Sequence, residues 1–247
     1  MRAEEASLVK KASNVLLALR LTFANEVAGL AEDIGVDVGP VFEGIGHDPR
    51  IGHGHLRPSH GFGGSCLPKE VHSLSAAGLD RGLPMYLAAA ISDANAGSQR
   101  RFARRIADAV GGLAGKRIAF LGLAFKADTD DVRSSPALRL AARLLAGGAD
   151  LRAHDPAAGE NARRVLPELV VVPMVEDAFR DADAAVIATE WPIYRDLDWA
   201  ALLVTMRSPL IIDGRRLLPF ARLRSMGYVV ERIGDGSDVT RELASDD

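Results

Sequence analysis

The feature that most limits the fold is a regular alternation in the second half of the chain. Residues 117–122, 151–154, 169–172, 184–188, 210–213 and 228–232 read as short apolar strands, with helical stretches between most of them. Such alternation predicts an α/β unit: a doubly wound parallel sheet with helices on both faces. Ser135-Pro136 gives a clear helix start, a capping hydroxyl followed by proline in the first turn. That helix should run to Gly147-Gly148, and Asp155-Pro156 should close the second strand.

The first half has a different texture. Leu8, Val15, Leu16, Leu19, Phe23, Val27 and Leu30 recur at helical spacing, which predicts a long helix over residues 6–33 ended by Gly35. A short helix over 40–45 follows. Residues 47–70 are glycine-rich, with Pro49 and Pro58 ahead of the single cysteine, Cys66. This stretch reads as a long loop, and long ordered loops in compact proteins are often functional. Helices are expected again over 71–77 and 84–110. Gly111-Gly112 and Gly115 mark the switch in composition, so the expected units are residues 1–112 and 113–247. The acidic end, residues 242–247, reads as frayed.

Composition narrows the classes. At 247 residues, 48% hydrophobic and 26% charged, the chain is ordinary globular protein. A formal net charge of -3 and scattered basic residues exclude a nucleic-acid or membrane-surface stripe. One cysteine forms no internal disulfide. Acidic residues come too early for a secretory leader, and Arg20 interrupts the apolar run 15–21, far short of a membrane span. The expectation is a soluble, cytoplasmic protein.

The sharpest local feature is the run from Gly61 through Phe62, Gly63, Gly64 and Ser65 to Cys66, then Leu67, Pro68, Lys69 and Glu70. Glycines let backbone approach a ligand closely. The residue chemistry leaves two readings open: an activated thiolate near Lys69, or a buried structural thiol. Lys10 and Asn14 share a helix face, with Asn25 further along, and are equally readable as ordinary surface. The turn Gly122-Leu123-Ala124-Phe125-Lys126 stands where a dinucleotide-binding domain carries Gly-x-Gly-x-x-Gly, and that fingerprint is absent. Lys126, Arg133, Arg215 and Arg216 are either phosphate partners or solvated loop charges.

Taken in order, these stretches resemble the UDP-glucose/GDP-mannose dehydrogenase family. The similarity rests on Lys10–Asn14 with Asn25-Glu26, Asp48-Pro49-Arg50-Ile51-Gly52, the cysteine loop, and Gly122–Lys126 with Asp128 and Arg133. Residues 187–191 and Asp213-Gly214-Arg215-Arg216 complete it. The resemblance implies a helical dimerisation domain followed by a Rossmann-like domain that binds the nucleotide of a UDP-sugar. It implies a homodimer through the central helices. It also implies that the family's N-terminal NAD-binding domain lies outside this sequence, so that NAD is held mainly elsewhere. No metal centre is implied.

The family's reaction oxidises a sugar C6 alcohol to a carboxylate with two NAD, through a cysteine thiohemiacetal and thioester. Carried over by motif, Cys66 is the nucleophile, Lys10 the oxyanion-stabilising lysine, and Asn14 its partner. Glu70 takes the place of a carboxylate that is Asp in most members, so its extra methylene is a departure. Arg50, Phe62, Gly63, Phe125, Lys126 and Arg215 match substrate-binding positions; Lys69 and Arg133 match residues that reach NAD. UDP-glucose is the expected substrate, with GDP-mannose or UDP-N-acetylmannosamine as alternatives. The reading from another class is a non-catalytic nucleotide-sugar-binding and dimerisation fragment.

Overall fold

A computed structural model describes residues 1–237; the expected frayed end at 242–247 lies outside the described residues. The chain divides into two compact units. One comprises Met1–Ser98 with the segment returning from Gly234; the other is Gln99–Ile233. The sequence put the division after residue 112, at the glycines. The units instead part within a helix, because the second half of that helix carries Phe102 and Ile106, with Val110 directly after its end, into the core of the sheet.

The first unit is helical: α1 (Ala3–Asp33), α2 (Val38–Gly46), α3 (Leu67–Leu79) and the first half of α4 (Tyr86–Ala109). The loop between α2 and α3 is shorter than expected. It ends at Cys66, which is the N-cap of α3, so Lys69 and Glu70 stand on the first helical turn. Gly35, at φ 75°, turns the chain after α1. The returning segment docks here: Val38 N donates to Gly234 O at 2.8 Å, and Gly236 N to Val36 O at 3.1 Å.

α1 does not bury its large apolar stripe. Its buried residues are Ala18, Thr22, Ala24, Asn25, Ala28, Gly29 and Ala31. Leu8, Leu16, Phe23 and Leu30 are 57, 58, 47 and 60% exposed. Small residues let neighbouring backbone come close, so the packed face is the alanine face. The stripe that made the helix legible is in large part without cover in the single chain.

The second unit holds six parallel strands, β1 (Arg117–Leu121), β2 (Asp150–His154), β3 (Val170–Val171), β4 (Ala184–Ile187), β5 (Leu210–Asp213) and β6 (Val229–Arg232), in the order β3-β2-β1-β4-β5-β6. Helices α5 (Pro136–Ala146), α6 (Gly159–Val165), α7 (Val175–Phe179), α8 (Trp199–Leu203) and α9 (Phe220–Ser225) join them, with a 3₁₀ turn at Pro192–Asp196. Strand periodicity splits β1 between two cores. Ile118 and Phe120 pack with Ile106, Leu140 and Leu144; Ala119 and Leu121 pack with Phe179, Tyr194 and Trp199. Ser135 caps α5 as its sequence predicts, accepting from Leu138 N. The strand order reverses between β1 and β4, which in such sheets opens a ligand crevice at the strand C-termini.

At the end of β2, His154 is buried, its Nδ1 3.2 Å from the Tyr194 hydroxyl, which itself donates to His154 O at 2.8 Å. Burial holds the imidazole below its usual range, against the opposing pull of Asp155 and Glu176. The unfolded chain therefore binds the proton first as pH falls below about 6.5. The stabilisation is complete above that pH and is lost progressively as pH falls toward the depressed folded value. Urea midpoints at about pH 7.5 and about pH 5 should fall further for the wild type than for His154→Gln. Equal losses in the two proteins would refute this.

Candidate functional site

In the helical unit the site is built on α1 and α3. Cys66 is exposed at the start of α3, which excludes the buried structural reading. The Glu70 amide donates to Cys66 O at 2.9 Å, closing the first helical turn. The Glu70 side chain is only 8% exposed, yet it faces two ammonium groups from α1. Lys10 Nζ lies 4.0 Å from Oε1, and Lys11 Nζ 3.3 Å from Oε2. Lys11 also donates to Ser73 Oγ. The structure thus brings Lys10, Glu70 and the Cys66 turn together. It adds Lys11, which motif reading passed over because its neighbour carried the match. Asn14, half-buried, lies one turn along α1 from Lys10. Lys69 is exposed beside Glu70.

The glycine loop is held by two buried asparagines. Asn25 Oδ1 accepts from Ser59 N at 2.7 Å, which removes the ordinary-surface reading for Asn25. Asn95, on α4, grips Phe62 from both sides: its Oδ1 accepts from Phe62 N at 3.0 Å and its Nδ2 donates to Phe62 O at 3.1 Å. Phe62 and Gly63 are themselves buried. Gly64, at φ 85°, then turns the chain toward Ser65 and Cys66. Asn95 gave no signal in the sequence, since a lone asparagine in a helix has no motif around it. Arg50 is 87% exposed and forms a fork with Asp48, Nε to Oδ1 at 3.0 Å and Nη2 to Oδ2 at 2.6 Å. That guanidinium holds the Asp48 carboxyl below its usual range.

In the sheet unit, the crevice ends of β1, β4 and β5 carry the remaining residues. Asp155 dominates the geometry. Its Oδ2 accepts from Leu123 N at 2.6 Å, Ala124 N at 3.0 Å and Trp191 Nε1 at 3.1 Å. Its Oδ1 accepts from Ala157 N and Ala158 N at 2.9 and 2.7 Å. The amides that would meet a pyrophosphate in a dinucleotide-binding turn are therefore already bound. Thr189 Oγ1 donates to Ala124 O at 2.7 Å, and Gly122, at φ 98°, has no room for a Cβ against Thr189.

Past this knot the chain presents Phe125, half-buried, and Lys126, exposed with its Nζ 5.6 Å from the Phe125 ring centre. Arg215 is no solvated loop charge: its side chain is 11% exposed, and Nε reaches Ala188 O at 2.8 Å and Glu190 Oε2 at 3.2 Å. Its Nη2 is buried with no hydrogen-bond partner among the described residues. Asp213, pushed up by burial, accepts from Arg215 N and Leu218 N and fixes the turn. Arg216 donates to Ile233 O at 3.0 Å. Arg133 lies apart from that knot, 71% exposed and forked on Asp131.

A parallel sheet of this order with basic side chains at its switch point, on one chain with a helical unit that presents a thiol, defines a Rossmann-like class of α/β protein. The central-domain model of the UDP-glucose/GDP-mannose dehydrogenase family matches residues 4–97, and that family's UDP-binding-domain model matches residues 119–219. The chain belongs to this family. It is 36% identical over 232 residues to UDP-glucose 6-dehydrogenase TuaD of Bacillus subtilis, covering 94% of this chain and 50% of that protein. A UDP-glucose dehydrogenase structure from Pyrobaculum islandicum superposes with a TM-score of 0.84 at 38% identity, over 95% of this chain and 52% of that one. A UDP-D-ManNAc dehydrogenase structure from Pyrococcus horikoshii gives 0.80 at 29% identity, over 96% and 53%. The chain thus spans about half the length of the relatives it matches.

The Asn95 clamp yields a direct expectation. Asn95→Ala leaves the buried Phe62 N–H and C=O without these partners, at a cost of about 2 kcal/mol or more. Chemical denaturation should register that loss, and hydrogen exchange at the Phe62 amide should speed up. An unchanged midpoint would deny the clamp its role.

Proposed function

We propose that this chain supplies the nucleophile and the nucleotide-sugar site of a UDP-glucose 6-dehydrogenase. The observation that carries the reading is the exposed Cys66 at the start of α3, one turn from a carboxylate that gathers two lysines. A helix N-terminus favours negative charge on sulfur and on a bound oxyanion. In this reading Cys66 Sγ attacks the C6 aldehyde of the substrate and forms a thiohemiacetal. Lys10 stabilises the developing alkoxide, with Asn14 beside it, and Glu70 orients the lysine. Oxidation leaves a thioester, and water releases the acid. The hydrides go to NAD, two for each alcohol oxidised to carboxylate.

The β1–α5 turn does not fit a dinucleotide, since Asp155 already occupies its amides. NAD is therefore assigned to a part of the protein beyond these two units, with Lys69 and Arg133 as contacts toward it. At the switch point, Phe125 and Lys126 suit a nucleoside diphosphate, with the anchored Arg215 guanidinium adding positive charge beneath them. In the helical unit, Arg50, Phe62 and Gly63 are assigned to the substrate by their match to the family's motifs. A cytoplasmic location accords with a single free thiol; among the described residues no helix is long and apolar enough to cross a membrane. The relation to a UDP-D-ManNAc dehydrogenase keeps that substrate as the second reading.

The test joins this chain to the nicotinamide-binding domain of a relative and follows NADH with UDP-glucose, GDP-mannose and UDP-N-acetylmannosamine. UDP-glucose should be oxidised fastest, and Cys66→Ala should lose roughly 10³-fold or more in acid formation. Retained turnover in that variant removes Cys66 as nucleophile. The 247-residue chain by itself should make no NADH; measurable NADH would reverse the assignment of NAD to another part.

The same reading makes the chain a homodimer through α1, where Leu8, Leu16, Phe23 and Leu30 are exposed. Sedimentation should give a dimer, and Leu16→Glu with Phe23→Glu should shift it to monomer without loss of helix content. A wild-type monomer at tens of micromolar, roughly, would end this proposal.

A further inference from the structure

The stretch from α2 into the following loop carries three metal-ligating side chains that no step above uses. Glu43 lies on α2 and His47, four residues on, is its C-cap with helical backbone, so the two share a face. His53 comes from the loop beyond. The single carboxylate spans both rings: Glu43 Oε1 lies 3.7 Å from His47 Nε2, and Oε2 lies 3.9 Å from His53 Nδ1. One donor atom from each of the three lies within 4.8 Å of the others. The imidazoles meet edge to face, with ring centres 5.5 Å apart.

The backbone beneath them is fixed. Ile51 N and Gly52 N both donate to Asp48 O, at 2.9 and 2.8 Å. Arg20 Nη2, from α1, donates to Gly52 O at 2.8 Å. Gly46 has no Cβ, and one built there would overlap the His53 ring. The main chain therefore sets His53 against the end of α2, while the three side chains, 55–72% exposed, remain free to rotate.

We propose that Glu43, His47 and His53 bind a divalent first-row transition ion of the zinc or nickel type. Two imidazoles and one carboxylate suit such borderline ions, whereas magnesium and calcium prefer all-oxygen shells. Tetrahedral zinc, with bonds of about 2.0–2.1 Å, sets its donors about 3.4 Å apart. Each imidazole lies near that spacing from one Glu43 oxygen, 3.7 Å to Oε1 and 3.9 Å to Oε2, and with one donor atom of each residue within 4.8 Å of the others, side-chain rotation brings the three to a common ion. Remaining positions stay open to water. Occupancy ties the end of α2 to the turn that carries Arg50. The competing account is that Glu43 only pairs with two surface histidines.

Calorimetric titration of the tag-free chain with zinc chloride, and separately nickel chloride, decides between them. One equivalent should bind, and excess magnesium chloride should not compete. His47→Ala, His53→Ala and Glu43→Gln should each weaken binding by about 10-fold or more, while His55→Ala and His72→Ala leave it unchanged. The side chains are exposed, so folding is retained, and thermal melts verify it. No binding by the wild type, or equal binding by a His47→Ala/His53→Ala double variant, overturns the site.

Discussion

The sheet unit depends on one carboxylate. Asp155 follows β2, yet its five hydrogen bonds reach the β1 turn, the start of its own loop and the indole of Trp191 beyond β4. An ionised carboxylate with both oxygens filled is a strong, short-range anchor in a buried setting. It brings together the loops on either side of the point where strand order reverses. It also commits the amides of that turn. The backbone amides that another sheet of this order offers to a dinucleotide are spent internally. Gly122 follows from the same constraint, because the turn is drawn against Thr189 too tightly for any Cβ.

The helical unit solves a similar problem with neutral amides and one buried acid. A glycine-rich loop has much conformational entropy to lose, and apolar packing alone does little to choose among its shapes. Asn25 and Asn95 choose for it, by bonding the backbone of Ser59 and Phe62 from inside the core. Glu70 then fixes the next turn. A buried carboxylate is expensive unless paired, and α1 supplies the pairing charges. Lys11, the closer and less exposed of the two, does most of that pairing, and Lys10 stands beside it at 4.0 Å.

Much of this architecture was legible in the residue order. The six strands, the capped helix at Ser135 and the long first helix follow from periodicity and punctuation, which act over a few neighbours. What was not legible acts across the chain. The division between units lies inside α4 because of what Phe102, Ile106 and Val110 pack against, which local pattern does not encode. The alanine face of α1 is silent in a hydrophobicity reading, although it is the packed one. Asp155 reads in sequence only as the close of a strand, and Asn95 carries no motif, since the backbone groups they hold at Leu123 and Phe62 lie some thirty residues away. Motif matching found Lys10, Cys66 and Glu70 but missed Lys11, whose 3.3 Å contact is the shorter of the two lysine contacts to Glu70.

These differences share a cause. In both units the groups that set geometry are buried and polar, while several groups available for chemistry are exposed. Asn25, Asn95, Glu70 and Asp155 are 0, 5, 6 and 8% exposed; Cys66, Lys10 and Lys126 stand in solvent. Buried polar groups must be satisfied, so each fixes the backbone around it within hydrogen-bond tolerance. Exposed reactive groups then inherit a defined origin while keeping the freedom to meet a substrate. Arg215 stands between the two classes. It is nearly buried and anchored through Nε, with Nη2 left over, so it carries the rigidity of the first group and the unspent donor of the second.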